Sequence, residues 1–190
     1  MNISFLKLLE YSRVNRTILY AAGIVLMVAI FLTVAGCYET DIEVIDVSSA
    51  VAVYGVTGTY NVESGGTMTI SAVPHSNDYR FQEVSKDNKV STGYLRLVPL
   101  QGDIYIVQAK YDNEDIYYLA FYRFTIDSSG SHYKPLTADV DDERIDQLAQ
   151  QNGITIDWDT FDLVPYLEGG RAHIMSFLRA HAGLPFVPSQ

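Results

Sequence analysis

The chain has 190 residues, of which 48% are apolar, 12% aromatic and 19% charged, and 13 Lys+Arg stand against 23 Asp+Glu for a formal charge of −10. That length bounds the protein at one domain with appendages, and the apolar fraction is enough for a packed core rather than a disordered chain. The acidic balance excludes a nucleic-acid partner, which needs a basic face, and a single cysteine excludes an intramolecular disulfide and a Cys-rich zinc site.

Residues 18–36 read ILYAAGIVLMVAIFLTVAG, nineteen in a row without a charge, behind Lys7, Arg13 and Arg16 and one acid, Glu10. A basic flank before an apolar run predicts an export signal or a membrane anchor. The positive flank stays in the cytoplasm, so the chain after residue 37 is expected on the exported side. The run exceeds the ~7–15 apolar residues of a usual signal core. It approaches the ~20 that span a bilayer, so an uncleaved single-pass inner-membrane anchor is the alternative.

Val34-Ala35-Gly36-Cys37 resembles the lipobox of bacterial lipoproteins: a branched apolar residue, two small residues, then cysteine. The resemblance implies cleavage between Gly36 and Cys37 and acylation of the Cys37 sulfur and its new amino group. Cys37 is the one cysteine of the chain, and its removal by acylation leaves no thiol to misoxidise in an exported compartment. Each buried methylene of an acyl chain contributes ~0.8 kcal/mol, and several chains on one residue make attachment effectively permanent. Residue 38 is Tyr rather than Asp. In lipoproteins of Gram-negative type that implies the outer membrane, facing the periplasm.

The expected organisation is a signal peptide over 1–36, a lipidated cysteine with an acidic tether over 37–50, and one exported domain over 51–190. Without residues 1–36 the chain keeps 10 bases and 22 acids, a charge of −12, which repels it from anionic lipid. Residues 38–50 are short and acidic and read mainly as the tether. A first edge strand through Ile42, Val44 and Val47 is the other reading.

From 51 to 134, runs rich in Val, Ile, Tyr, Phe and Thr alternate with turn residues, which predicts strands over 51–62, 67–73, 79–85, 93–99, 103–111, 116–126 and 131–134. Gly65-Gly66, Asn77-Asp78, Asp87-Asn88, Gln101-Gly102 and Asp112-Asn113 sit at the joints, and such short joints favour hairpins in an antiparallel meander. The run 116–126 is apolar on both faces, which predicts a central strand covered on both sides.

Over 139–183 the pattern is mainly helical. Asp139, Asp141, Asp142 and Glu143 precede Ile145, Leu148 and Ala149, with Gly153 after them, a helix start and stop. Ile154, Ile156 and Trp158 alternate as a short extended piece, and residues 160–167 suggest a helical turn. Ile174, Phe177, Leu178 and His181 recur at helical spacing before Gly183 and Pro185. The fold class expected is therefore α+β, an antiparallel meander of about seven strands covered by two or three C-terminal helices.

Thr57, Gly58, Tyr60, Gly65, Met68, Thr69 and Ile70 resemble, in order, the first hairpin of calycin-type barrels, avidins above all. The resemblance implies a small barrel with a C-terminal helix as the alternative fold. The family's biotin contacts do not carry over. Val62 and Gly66 stand where its Asn and Ser would be, Tyr60 replaces its first Trp, and Trp158 is the sole tryptophan.

No catalytic constellation is legible, and the chain reads as no enzyme. His75, His132, His173 and His181 lack metal-ligand spacing and read as surface or rim histidines, so no metal and no cofactor is expected. An EF-hand begun at Asp139 would need Gly at Arg144 and Glu at Gln150. Asp157, Asp159 and Asp162 flank Trp158, a pattern seen in sugar-cleaving sites and equally in helix starts, and they carry the hydrolase alternative. There is no G-x-S-x-G elbow. Fourteen tyrosines are many, and tyrosine pairs a large ring with a polar tip, which suits interfaces. Tyr60, Tyr94, Tyr105, Tyr118 and Tyr122 are the candidate surface for a ligand or an envelope protein partner. The expected role is that of a non-enzymatic, membrane-anchored envelope lipoprotein engaged in protein contact or structural support. Membrane lipid is its partner through acylated Cys37, and a small-ligand-binding barrel is the main alternative.

Overall fold

A computed structural model describes residues 37–62, 65–127, 130–158 and 164–188. The expected signal peptide, and Asp159 and Asp162, lie outside them. The described residues are mostly β-sheet with two helices towards the C-terminus.

Seven consecutive strands form the meander: β2 (Gly58–Val62), β3 (Gly66–Ala72), β4 (Tyr79–Val84), β5 (Val90–Gln101), β6 (Ile104–Tyr111), β7 (Tyr117–Asp127) and β8 (Gly130–Ala138). Each pairs antiparallel with the next. The joints explain it. Gly65 has φ +86 and Gly102 φ +59, backbone that a side-chain-bearing residue rarely adopts, so the chain reverses there. The strand expected over 51–62 begins only at Gly58, because Val53 and Val56 leave the sheet line and close a turn, Val56 N donating to Val53 O.

The sheet is larger than the meander and mixed. The edge of β7 away from β6 is shared. Tyr117–Ala120 pair with β1 (Cys37–Thr40), and Phe121–Asp127 pair with β8. Beyond β1 lie β10 (Tyr166–Glu168), its parallel neighbour, and then β9 (Thr155–Asp157). Beyond β8 lies β11 (Phe186–Pro188). Among the described residues this makes eleven strands in an open sheet, not an all-antiparallel one and not a closed barrel. Tyr166 and Leu167, expected in the helical turn over 160–167, are strand instead, because Tyr166 to Glu168 find a partner in β9 and Pro165 disfavours helical backbone just ahead of them.

Helix α1 (Asp142–Gln151) starts as its acids suggest: the Asp141 carboxylate accepts from Arg144 N at 2.9 Å, and Gly153 follows at φ +70. Helix α2 (Arg171–His181) buries Ile174, Phe177, Leu178 and His181, its expected apolar stripe. Both helices pack over one face of the sheet. There Tyr38, Ile106, Leu119, Phe121 and Leu136 meet Leu148, Ile174, Phe177 and Leu178 in the larger core cluster. Full burial of each such side chain is worth ~1.5–3 kcal/mol. A smaller cluster, Val56, Tyr79, Phe81, Leu95 and Leu97, lies on the opposite face, under residues 51–57.

The acidic stretch expected as a tether is built into the fold. Tyr38 and Thr40 are buried in β1, and Val44 and Ile45 are buried beyond it. Gln108 Oε1 accepts from the backbone N of Val44 and Ile45 at 2.8 and 2.7 Å. The buried guanidinium of Arg96 donates to Asp78, to Ile45 O and to Glu43, and Arg171 donates to Asp46 at 3.2 Å. Of the acids that suggested a solvated linker, Glu43 and Asp46 are therefore ion-paired with distant cations.

Candidate functional site

The site is built outward from Cys37. It is the first residue of β1 and stands opposite Ala120 on β7, which in turn stands opposite Val107 on β6. Directly opposed residues share a face, so Cys37, Ala120 and Val107 lie on the side away from the helices, and Tyr38 points to the helix side. The thiol is half-buried, and its pKa is pushed up to about 11, first by that burial and then by the neighbouring Glu39 carboxylate. A thiol in that environment is a poor nucleophile.

On the helix side, Tyr38 is the structural counterweight. Its hydroxyl and His181 Nε2 hydrogen-bond at 3.0 Å, and its ring meets Phe177 edge-on at 5.6 Å. His181 stacks on Phe121 at 4.7 Å. Burial holds the imidazole down to about 4, and its Nδ1 has no partner. This corrects the surface reading of His181: the apolar stripe of α2 carries the histidine into the core, where it acts as a flat ring. His75 and His173 are exposed.

The five candidate tyrosines divide by face. Tyr105 stands opposite Tyr122, Tyr118 stands opposite Ala109, and both pairs share Cys37's side of the sheet. Tyr60 shares that side through Met68, at the far end of the meander. Tyr94 lies on the helix side, with the Arg96 guanidinium 5.1 Å from its ring centre. Tyr105, Tyr118 and Tyr122 are half-buried. Phe124 joins them edge-on to Tyr105 at 5.4 Å, and Tyr111 meets Tyr118 at 5.9 Å. Phenol tips reach carboxylates at the rim: Tyr118 donates to Glu114 at 2.8 Å and Tyr111 to Glu83 at 3.0 Å. The expectation that β7 is covered on both faces holds on the helix side, where Leu119 and Phe121 are buried. The other face is half-covered.

Tyr60 lies apart from this group. Its hydroxyl donates to Val56 O at 2.6 Å and Gly55 O at 3.1 Å. It borders a hollow of about 720 Å³ that Tyr54, Thr57 and Tyr79 also line. Of the acids around Trp158, Asp157 is exposed in β9, and the Trp158 indole donates to Asp146 of α1 at 2.7 Å. Among the described residues no cluster of His, Cys, Asp and Glu could hold a metal, and no helix is long and apolar enough to cross a membrane. The Cys37 position inside the sheet had no signal in sequence, because a four-residue strand between two others is set by its partners. Comparison with family models, with curated proteins and with solved structures finds no match to this chain.

Proposed function

We propose that this protein is a non-enzymatic envelope lipoprotein, held on a membrane through acylated Cys37 and engaged in protein contact or structural support on the exported side. The observation that carries the reading is Val34-Ala35-Gly36-Cys37 directly after nineteen uncharged residues. Tyr38 at the next position favours the outer membrane in an organism that has one. The environment of Cys37 adds an order of events. With the thiol desolvated and β1 paired on both edges, acylation and cleavage act on the chain before β1 closes into the sheet, since a processing enzyme needs extended, accessible backbone.

The test is metabolic labelling with a fatty-acid probe in cells making the full chain. Label is expected on the native protein and lost in Cys37→Ser. An intact chain that retains residues 1–36 and a bare thiol replaces the lipoprotein with a single-pass anchor. A chain found free in the cytosol removes export altogether.

A second reading, binding of a small ligand, is favoured by the hollow beside Tyr60, which has the size of a small-molecule site. Its test is ligand-induced change in tyrosine fluorescence that Tyr60→Ala abolishes.

A further inference from the structure

The place where the chain joins its anchor limits how the domain sits on a membrane. β1 starts at Cys37 and is paired from that residue onward. No free linker separates the sheet from the anchor point.

The anchor point is also in the middle of the sheet, not at its rim. The β7 edge is taken by Cys37 opposite Ala120 and by Leu136 of β8 opposite Phe121, the next residue. A group attached at Cys37 cannot continue in the line of β1, because β8 occupies that line. It leaves through one face. The helix face is filled there, with Phe177 and His181 seated on Tyr38 and Phe121. The remaining route is the face that Cys37 itself shares with Ala120.

That face is the half-covered aromatic one. Tyr105, Tyr118, Tyr122 and Phe124 lie around this position on the same face, each half-buried. Tyrosine rings of this kind concentrate at the headgroup level of bilayers, where one end is apolar and the other wet. Glu39, Glu83 and Glu114 lie at or beside the same face, and the charge of −12 on residues 37–190 favours zwitterionic over anionic lipid.

We infer that the tyrosine face of β6 and β7 lies against the interfacial layer of the membrane that holds the anchor, with α1 and α2 turned away from it. The inference rests on the membrane-anchored reading but not on the kind of anchor. Acyl chains on Cys37 and an uncleaved apolar span both attach the bilayer at this residue.

The test uses the full chain, produced with its leader in bacteria, purified from membranes and reconstituted in phosphatidylcholine vesicles with brominated acyl chains. The native protein reports from Trp158 alone, which is bonded to α1. Tyr122→Trp in a Trp158→Phe background reports from the tyrosine face, and Tyr105→Trp in the same background is the second variant, should the first fail to fold. Emission from position 122 or 105 is expected to fall by about half or more, the behaviour of an interfacial aromatic, with little change at Trp158. Quenching of Trp158 without quenching at 122 and 105 reverses the orientation and overturns the inference. Vesicles that float with the protein but quench none of the three also overturn it, and leave the face to a protein partner. Protein that does not float with the vesicles removes the anchored reading itself, and the orientation with it.

Discussion

The Gln108 side chain holds Ile45 by both ends of its backbone: Oε1 accepts from Ile45 N at 2.7 Å, and Nε2 donates to Ile45 O at 3.1 Å. A side-chain amide thus plays the part of a neighbouring strand for a segment that has none. Gln108 is fully buried, so no water can substitute. Gln108→Leu keeps the volume and strands two backbone N–H groups, at Val44 and Ile45, while Ile45 O keeps its bond from Arg96. The expected loss is about 3 kcal/mol, since each orphaned buried group costs ~1–3 kcal/mol. In a thermal melt of a chain this size that is a midpoint lower by about 6–12 °C. Gln82→Leu, at an exposed position of β4, is the control and should move stability by no more than ~0.5 kcal/mol. Equal melting of Gln108→Leu and the native chain removes the clamp from the account.

His181 predicts a pH dependence with a definite sign. Burial lowers its pKa from 6.5 in the unfolded chain to about 4 in the fold. Between those values the unfolded chain binds the extra proton and the native one does not, so stability falls as pH falls. The group is almost fully buried, and the loss from pH 6.5 to pH 4 amounts to about 2–3 kcal/mol. Asp46 and Asp112, each held near 2 first by hydrogen bonds from Ser48 and from Arg80 respectively, lose their contributions only as pH falls from 3.8 towards 2. The two windows are separable by urea titrations at successive pH values. His181→Leu should flatten the upper window and leave the lower one. An unchanged slope above pH 4 in that variant assigns the dependence elsewhere.

Cys37 makes the fold and its processing testable with one reagent. A pKa raised from 9.0 to about 11 cuts the thiolate fraction at neutral pH by about 100-fold. A disulfide reagent should therefore modify folded, unprocessed chain at least about 100-fold more slowly than the same chain in urea. Acylated protein should react in neither condition. Fast reaction of the folded, unprocessed chain would show that β1 is open in solution.

Gly93 on β5 leaves room for a ring. A Cβ there would collide with the Phe81 ring and with Lys110 O, and Phe81 in turn meets Tyr111 edge-on at 5.0 Å. Gly93→Ala is expected to cost about 2–3 kcal/mol through displacement of that ring and of the β6 backbone at Lys110. Phe81→Leu in the same chain should recover part of the loss, a coupling that a double-mutant cycle in urea measures. Strict additivity would mean that the ring and the glycine do not interact.

Much of the strand pattern was legible, because alternating side chains and glycine turns are local properties. Met68 and Ile70, or Tyr105 and Val107, declare their face by spacing alone. The stripe of α2 was legible for the same reason, since Ile174, Phe177, Leu178 and His181 recur with the helical period. Its histidine was misjudged: period places a residue on a face but does not say how deep that face lies.

The region from Cys37 to Ala50 was not legible. Its acids, Glu39, Asp41, Glu43 and Asp46, look solvated in isolation. Glu43 and Asp46 are paired with Arg96 and Arg171, and the backbone at Val44 and Ile45 is held by Gln108, all far along the chain. Strands β9, β10 and β11 are three residues each, too short to show a period.

Composition and local pattern alone pointed to an antiparallel meander of strands followed by two or three helices, behind an uncharged apolar run that ends at the one cysteine. Where that cysteine sits was decided by tertiary structure. A four-residue strand has no stability of its own, and its position between β7 and β10 depends on hydrogen bonds and apolar contacts supplied by residues 77–143 positions away.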